Sequence, residues 1–123
     1  MSNSINKTPK SQYYCYFLIS LKPGNNNKTY IGITNNLKTR LDCHNGIKKN
    51  GAKSTAGGDW VYHTIVGVFP DRGTAQSFEW YWKHIQTKNG KWYRNKPGLK
   101  SKMSRLLELL LSDEWKKYNI IIR

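Results

Sequence analysis

The sequence predicts a mixed α/β domain whose elements follow the order β-β-α-β-α-α. Three stretches rich in aromatic and β-branched residues are typical of strands, at 13–21, 29–34 and 60–69. Three others carry apolar residues at the spacing of one helix face, near 37–49, 74–87 and 100–111. A chain of 123 residues without an internal repeat fits one domain. We place that domain at residues 12–123, behind a disordered basic tail at 1–11.

The first two strands are predicted to form a hairpin. The segment Pro23-Gly24-Asn25-Asn26-Asn27 between them has the composition of a turn. The first of these strands is apolar enough to be buried. The second strand is the shorter of the two. Because a hairpin pairs its two strands, it brings Tyr16 and Tyr30 into one sheet.

The first helix carries an arginine and a histidine on an otherwise apolar face. Asn35 and Asn36 provide capping side chains for a helix that begins near Leu37. The residues at one-face spacing are Leu37, Arg40, Leu41, His44 and Ile47. Because the two polar side chains are costly to remove from water without a partner, we expect a polar group opposite them, in the interior or in a cleft.

The second half of the chain supplies a third strand and two further helices. Pro70-Asp71-Arg72-Gly73 precedes the helix near 74–87, whose inner face is predicted to consist of Ala75, Phe78, Trp82 and Ile85. Glu79 lies about 40° from Ala75 around that helix, at the edge of this face. The helix near 100–111 has a leucine-rich stripe, and the apolar residues after it suit a short final strand, Trp115 and 120–122.

The chain is strongly basic. Lysine and arginine outnumber aspartate and glutamate by 21 to 7, which gives a formal net charge of +14. Such an excess favours a polyanionic partner, most simply nucleic acid, although a basic surface that serves only solubility is an alternative. Two basic loops, near 50–59 and 89–99, suit a DNA backbone. The predicted DNA-binding residues are Lys48, Lys49, Lys53, Lys88, Lys91, Arg94, Lys96, Lys100 and Lys102.

Cysteine content and hydropathy indicate where in the cell the protein is located. Cys15 and Cys43 are too few for a disulfide scaffold and lack the spacing of a zinc site. No apolar run approaches the ~18 residues of a membrane span. We therefore expect a soluble intracellular protein without a membrane partner, in the nucleus or cytoplasm, and a viral or microbial origin is compatible with this.

Five polar residues near the predicted core suit phosphodiester hydrolysis: Tyr16, Tyr30, Arg40, His44 and Glu79. A single carboxylate can hold Mg²⁺, which keeps several waters and takes phosphate oxygens as further ligands. Arg40 could neutralise charge on the phosphoryl group. His44 or a tyrosinate could take the proton of the attacking water, provided that Arg40 and a metal lower the pKa of the tyrosine from its ordinary value of ~10.

Each of these residues also has a purely structural interpretation. The two tyrosines are ordinary strand residues, and Arg40 could lay its stem on Leu37 with its head in water. His44 could be a hydrogen-bonded helix residue. Glu79 could be solvated or paired with Lys83, four residues later.

The order of these residues resembles the GIY-YIG nuclease superfamily. The motifs are Tyr14-Cys15-Tyr16, Tyr30-Ile31-Gly32, then Arg40, His44 and Glu79. Within that superfamily the chain is similar to the catalytic subunit of the eukaryotic structure-selective endonuclease that cuts branched DNA with a scaffold protein. Further segments that support this subgroup are Gly57-Gly58-Asp59-Trp60 and Phe78-Glu79-Trp80-Tyr81-Trp82-Lys83-His84.

The resemblance implies a three-stranded antiparallel sheet flanked by helices. Tyr16 and Tyr30 would match the tyrosines of the two motifs, one of which places or deprotonates the attacking water. Arg40 would contact the scissile phosphate, and His44 would assist the tyrosine. Glu79 would be the single ligand of Mg²⁺ or Mn²⁺. The implied function is a metal-dependent endonuclease for branched or flap DNA, of the repair and recombination type.

The sequence departs from the family pattern at three places. Tyr14 and Cys15 stand where the first motif usually has glycine and isoleucine. Many members carry an asparagine after the metal-binding helix, for which Asn89 and Asn95 are the candidates. The eukaryotic subunit continues into a zinc domain that engages the scaffold, and the two cysteines here are too few for one, so a scaffold partner stays open.

Two other functions remain alternatives. The first is a sequence-specific nuclease of the homing or restriction type, with the same fold and chemistry. The second is a nucleic-acid-binding module without turnover. The acidic residue Glu79 disfavours this second alternative, because a pure binder has no need of a metal ligand amid a basic surface.

Overall fold

A computed structural model describes residues 12–24, 28–46, 59–84 and 99–122 of the chain. These residues form β1 (Tyr13–Ser20), β2 (Thr29–Thr34), α1 (Leu37–His44), β3 (Trp60–Phe69), α2 (Arg72–His84), α3 (Leu99–Leu110) and β4 (Asn119–Ile122). The predicted order of elements is confirmed, with the final strand added. No helix within the described ranges is long and apolar enough to cross a membrane. The expected tail at 1–11 lies outside them.

The strands form one antiparallel sheet in the order β2-β1-β3-β4. The expectation of a three-stranded sheet is therefore wrong. The β4 strand pairs with β3 through Ile65 with Ile122, Val66 with Ile120, and Gly67 with Asn119. A run of isoleucines can cover the edge that β3 would otherwise expose, and this leaves β2 as an edge strand of the described sheet.

Helices cover both faces of the sheet. Residues that alternate along β1 point to opposite faces, so Cys15 and Phe17 pack in one cluster with Phe78, Trp82 and Leu106 of α2 and α3. Tyr16 and Leu18 face the other way, toward Leu37 and Leu41 of α1. The face of α1 that holds Arg40 and His44 is thus turned toward the sheet.

The ends of the helices follow from local capping. The Asn36 side chain accepts from the Thr39 backbone N–H at 3.1 Å, as expected for the residue before α1. This helix ends at His44 instead of residue 49, because the chain turns at Gly46, whose φ is +78°. The α2 helix begins two residues earlier than predicted, at Arg72, because Asp71 accepts the Thr74 N–H at 2.7 Å and caps it.

Asn45 follows α1 and joins that helix to the first residue of β3. Its Nδ2 donates to the backbone carbonyl of Trp60 at 3.0 Å, and its Oδ1 accepts the Trp60 backbone N–H at 2.6 Å. The side chain therefore pairs with β3 as a neighbouring strand would. Because His44 is the last residue of α1, these two hydrogen bonds also hold His44 in place.

We expect Asn45→Asp to lower the free energy of unfolding by about 1–3 kcal/mol. The aspartate still accepts the Trp60 N–H, but its second oxygen cannot donate to the Trp60 carbonyl and repels it. Urea unfolding followed by tryptophan fluorescence measures the change. Asn119→Asp adds the same charge at an exposed position of β4 and serves as the control. Equal losses in both variants would contradict the role of Asn45.

Candidate active site

An open cleft of about 480 Å³ lies at the β2 edge of the sheet, between α1 and α2. It is lined by Tyr13, Tyr16, Tyr30, Gly32, Ile33, Thr34, Asn35, Arg40, Arg72, Gln76 and Glu79. Of the five residues predicted to do chemistry, Tyr16, Tyr30, Arg40 and Glu79 therefore share one cleft. The fifth, His44, is buried behind Tyr16 and bonded to it. The structure brings the predicted set together.

The Tyr16 hydroxyl reaches the cleft because Gly32 has no side chain. Tyr16 on β1 is directly opposite Gly32 on β2. A Cβ atom at residue 32 would lie 2.5 Å from the Tyr16 hydroxyl oxygen and 2.7 Å from its ring carbon Cζ. The ring therefore extends from β1 over Gly32 of β2, which is the edge strand of the sheet.

The Tyr16 hydroxyl is held by two hydrogen bonds in the interior. Its oxygen lies 2.7 Å from His44 Nε2 and accepts from Arg40 Nε at 3.3 Å. Tyr16 and His44 are each 1% exposed. Burial, and then the charge of Arg40, lower the pKa of His44 to about 4, so the imidazole is neutral at pH 7. Arg40 donates to the Tyr16 hydroxyl oxygen, so the hydroxyl hydrogen of Tyr16 can point toward His44. In a neutral imidazole Nε2 can accept that hydrogen.

Arg40 does not by itself lower the pKa of Tyr16 below its ordinary value, whereas the sequence-based expectation combined Arg40 with a metal. Burial raises its pKa above the ordinary value, and the hydrogen bond and charge of Arg40 only partly oppose this. Tyr16 is therefore a neutral phenol, not a tyrosinate. A role as base requires it to pass its own proton to His44 as it takes one from water.

Arg40 stays charged and joins both motif tyrosines. Burial lowers the pKa of Arg40, but the hydrogen bond and charge of Tyr16 and the contact with Tyr30 raise it by more. The pKa of Arg40 is therefore above its ordinary value. Tyr30 is half-buried, and its ring centroid lies 4.8 Å from that of His44 and 6.3 Å from that of Tyr16. The Arg40 side chain is therefore bonded to the catalytic candidate Tyr16 while it lines the cleft.

Glu79 is the carboxylate that lines the cleft. Its Oε2 lies 2.6 Å from Lys83 Nζ, so the pair that was the structural alternative for this residue is present. No group of three metal-ligating side chains occurs among the described residues. The donor set still fits Mg²⁺, which binds through one or two carboxylates and completes its shell with waters and substrate phosphates.

Most of the predicted DNA-binding residues fall outside the described ranges. These are Lys48, Lys49, Lys53, Lys88, Lys91, Arg94 and Lys96, and the candidate asparagines Asn89 and Asn95 fall there too. Lys100 is exposed at the start of α3. Lys102 is half-buried, and its Nζ donates to the Thr29 hydroxyl.

The cleft contains polar residues that the sequence analysis did not select for it. Arg72 and Gln76 precede Glu79 on α2 by seven and three residues, so the three share one helix face. That spacing is the sequence signal for them, whereas the apolar periodicity of the same helix indicates only its buried face. Asn35 also lines the cleft, whereas it was expected only to cap α1.

Comparison with known proteins identifies a family to which the chain is similar. Residues 12–102 match the family described as the GIY-YIG catalytic domain. The chain is 47% identical over 73 residues to a structure-specific endonuclease subunit SLX1 homolog of Cryptosporidium parvum, across 58% of this chain and 17% of that protein. It is 42% identical over 78 residues to the structure-specific endonuclease subunit slx1 of Talaromyces stipitatus, across 61% of this chain and 20% of that protein.

A third relative is the structure-specific endonuclease subunit SLX1 of Cryptococcus neoformans, 42% identical over 72 residues. That match covers 58% of this chain and 15% of the relative. The chain thus spans about a fifth or less of the length of these relatives. The family match at residues 12–102 includes all five residues predicted to do chemistry.

We expect Gly32→Ala to displace Tyr16 and to lower the free energy of unfolding by about 1–3 kcal/mol, because the new methyl group overlaps the tyrosine hydroxyl. Chemical denaturation measures the loss of stability. NMR titration should show the pKa of His44 rising, because displacement of Tyr16 exposes the imidazole to water. Gly73→Ala is the matched control, since its Cβ would meet no atom closer than 3.4 Å. A variant as stable as the wild type with an unchanged His44 signal would contradict the close approach.

The buried neutral state of His44 predicts a specific loss of stability in acid. The unfolded chain binds a proton at this residue below pH ~6.5, whereas the folded protein does so only near pH 4. The free energy of unfolding should therefore fall as the pH drops from 6.5, with about 2–3 kcal/mol lost by pH 4.5 through His44. His44→Gln should lack this component in urea unfolding at pH 7 and 4.5. Parallel losses in both proteins would refute it.

Proposed function

The chain belongs to the GIY-YIG family of catalytic domains, and from this membership we propose that it is an endonuclease that hydrolyses DNA phosphodiester bonds. The observation that supports this most directly is the hydrogen-bonded set of Tyr16, His44 and Arg40, which shares a cleft with Glu79. The cleft combines a proton acceptor, a permanent cation and a carboxylate. A net charge of +14 suits a polyanionic substrate.

Arg40 is proposed to bind the scissile phosphate. Its guanidinium lines the cleft and remains charged. A planar cation placed before the reaction stabilises negative charge that develops on the phosphoryl oxygens, and it needs little rearrangement to do so. Its hydrogen bond to Tyr16 also keeps the phosphate site and the proton acceptor in one geometry.

Tyr16 and His44 are proposed to take the proton of the attacking water. The Tyr16 oxygen receives a proton from water while its own proton passes to His44 Nε2, 2.7 Å away. Tyr16 is neutral before and after this step, and His44 becomes an imidazolium. The low pKa of His44 makes that state costly in the protein alone. The negative charge of the substrate phosphate would offset the cost, so the transfer is coupled to substrate binding.

Glu79 is proposed to hold a divalent metal, with Mg²⁺ the first choice and Mn²⁺ the second. Such an ion supplies a positive charge against the oxygens of the reacting phosphate. Lys83 already faces the Glu79 carboxylate as a cation. The Glu79 carboxylate therefore already lies against one positive partner, and a metal ion would be a second.

The preferred substrate is proposed to be branched or flap DNA. This proposal is supported by the relatives, whose names describe structure-specific endonuclease subunits. The word subunit in those names also supports a protein partner, which we propose as a possible scaffold. A nuclear or cytoplasmic location stays a prediction, as does the single domain at 12–123.

We expect the wild type to cut labelled flap, fork and four-way-junction DNA in the presence of Mg²⁺, and to spare plain duplex. Glu79→Gln and Arg40→Ala should each lower the cleavage rate by about 100-fold or more, because they remove groups that stabilise the transition-state charge. Glu114→Gln removes a carboxylate from an exposed position away from the cleft and should cut at the wild-type rate.

Three outcomes of this assay would contradict the proposal. Equal cutting by all variants would point to a contaminating nuclease and remove the assignment of the site. Cutting at one sequence regardless of branching would favour a sequence-specific enzyme. Tight binding without cutting, unchanged after addition of candidate scaffold proteins, would favour a binding module.

A further inference from the structure

A second pocket of about 280 Å³ lies beside the cleft and is distinguished by its charge. We call it the cationic pocket. Its walls consist of Thr29, Tyr30, Ile31, Lys83, Lys102 and Arg105. Three of these six residues are cations that come from two different helices, α2 and α3. Lys83 is paired with Glu79 outside the pocket, and the three cations still repel one another at close range.

Lys102 is half-buried, and its ammonium group is bonded within the pocket. Its Nζ donates to the Thr29 hydroxyl and lies 5.8 Å from the centre of the Phe17 ring. Burial, and then the charges of Arg105 and Lys83, lower its pKa to about 8. Among the described residues no carboxylate forms an ion pair with Lys102. The ammonium is therefore held in an environment that favours an added negative charge.

Arg105 makes the pocket wall rigid. The residue is 4% exposed, and its Nε donates to the Trp82 carbonyl at 3.1 Å while its Nη1 donates to Ser101 Oγ at 3.2 Å. The Trp82 indole N–H donates in turn to the Lys102 carbonyl at 2.9 Å. These bonds connect α2 to α3 and set the position of both cations before any ligand binds.

The cationic pocket continues the catalytic cleft along the edge strand β2. Tyr30 lines both, while Gly32 and Ile33 belong to the cleft and Thr29 and Ile31 to the pocket. The β2 residues that line the cleft are displaced by about two residues from those that line the pocket, which is about 7 Å along a strand. A DNA strand rises ~3.4 Å per nucleotide in a duplex. Successive phosphates of a strand are also displaced around the helix axis, so they lie farther apart than this rise, and sites about 7 Å apart can contact neighbouring phosphates.

We propose that the cationic pocket binds a backbone phosphate of the DNA strand, one or two nucleotides from the phosphate in the catalytic cleft. The inference rests on the proposed nuclease function, which it extends by a second phosphate subsite. Lys83 and Lys102 provide the charge, the Thr29 hydroxyl provides a further hydrogen bond, and Arg105 completes the electropositive wall. Lys83 also contacts Glu79, so it links the subsite to the proposed metal ligand.

A second phosphate contact along the strand would orient the scissile bond as well as raise affinity. One phosphate held by Arg40 leaves the strand free to rotate about that point. Two phosphates held at a fixed spacing define the direction of the backbone across the edge of β2. Phosphate contacts of this kind position nucleic acid without reading its sequence, which agrees with selection of DNA by structure.

The test compares the wild type with Lys102→Met and with the control Lys117→Met, which removes a charge from an exposed lysine beside Tyr118. Binding to flap DNA is measured in EDTA, so no cleavage is needed. A set of otherwise identical DNAs carries one uncharged methylphosphonate, moved one nucleotide at a time along the strand. Adding inorganic phosphate while recording the Trp82 indole N–H signal by NMR tests for a free phosphate in the same pocket.

In the wild type, one methylphosphonate position should weaken binding roughly tenfold, the scale of one lost charged hydrogen bond. Lys102→Met should bind normal DNA more weakly by a similar factor and be insensitive to that position, while Lys117→Met should behave like the wild type. Equal sensitivity of Lys102→Met and wild type at every position would overturn the proposal. So would a Trp82 response to inorganic phosphate without any coupled DNA position, because the pocket would then serve a free phosphate.

This design separates the subsite from the nuclease function. A coupled position in a protein that cuts no DNA would support the phosphate subsite and refute the proposed activity. Cleavage of branched DNA by a protein in which no methylphosphonate position depends on Lys102 would support the proposed activity and refute the phosphate subsite.

Discussion

The architecture of the cleft depends on the close contact between Tyr16 and Gly32. Tyr16 belongs to an inner strand, yet its hydroxyl acts at the edge of the sheet because the residue opposite has no Cβ. This contact places the hydroxyl in a cleft that α1 lines from one side and α2 from the other. A sheet edge is also the one place where residues from both faces can line the same cleft.

Burial then determines the chemical state of the groups. Tyr16 and His44 are almost fully buried, and a polar pair in such a position must satisfy its own hydrogen bonds. The same burial keeps the phenol protonated and the imidazole neutral. Arg40 is the charged member of the set and lies toward the cleft, so the permanent charge is at the position where an anion can approach.

The surroundings of Glu79 show how a carboxylate can lie within a basic protein. Lys83 pairs with it, and Arg72 shares its helix face. The cationic pocket begins on the other side of Lys83. Positive charge therefore lines the β2 edge on both sides of one acidic group, as a site for a metal and a polyanion would require. The pairing of Glu79 with Lys83 and a metal-binding role are compatible, since either cation balances the same carboxylate.

Sequence alone determined the order of elements, the bounds of β2 and β3, and the types and order of the chemical residues, because these follow from local periodicity and short motifs. Only tertiary structure decided the pairing of the final strand with β3, the Asn45 bridge to β3, the extension of Tyr16 over Gly32 and the neutral state of Tyr16. The free energies that select these features come from contacts between residues far apart in the chain and from burial. Neither is encoded in the residues next to a position, so they emerge only when the chain is folded.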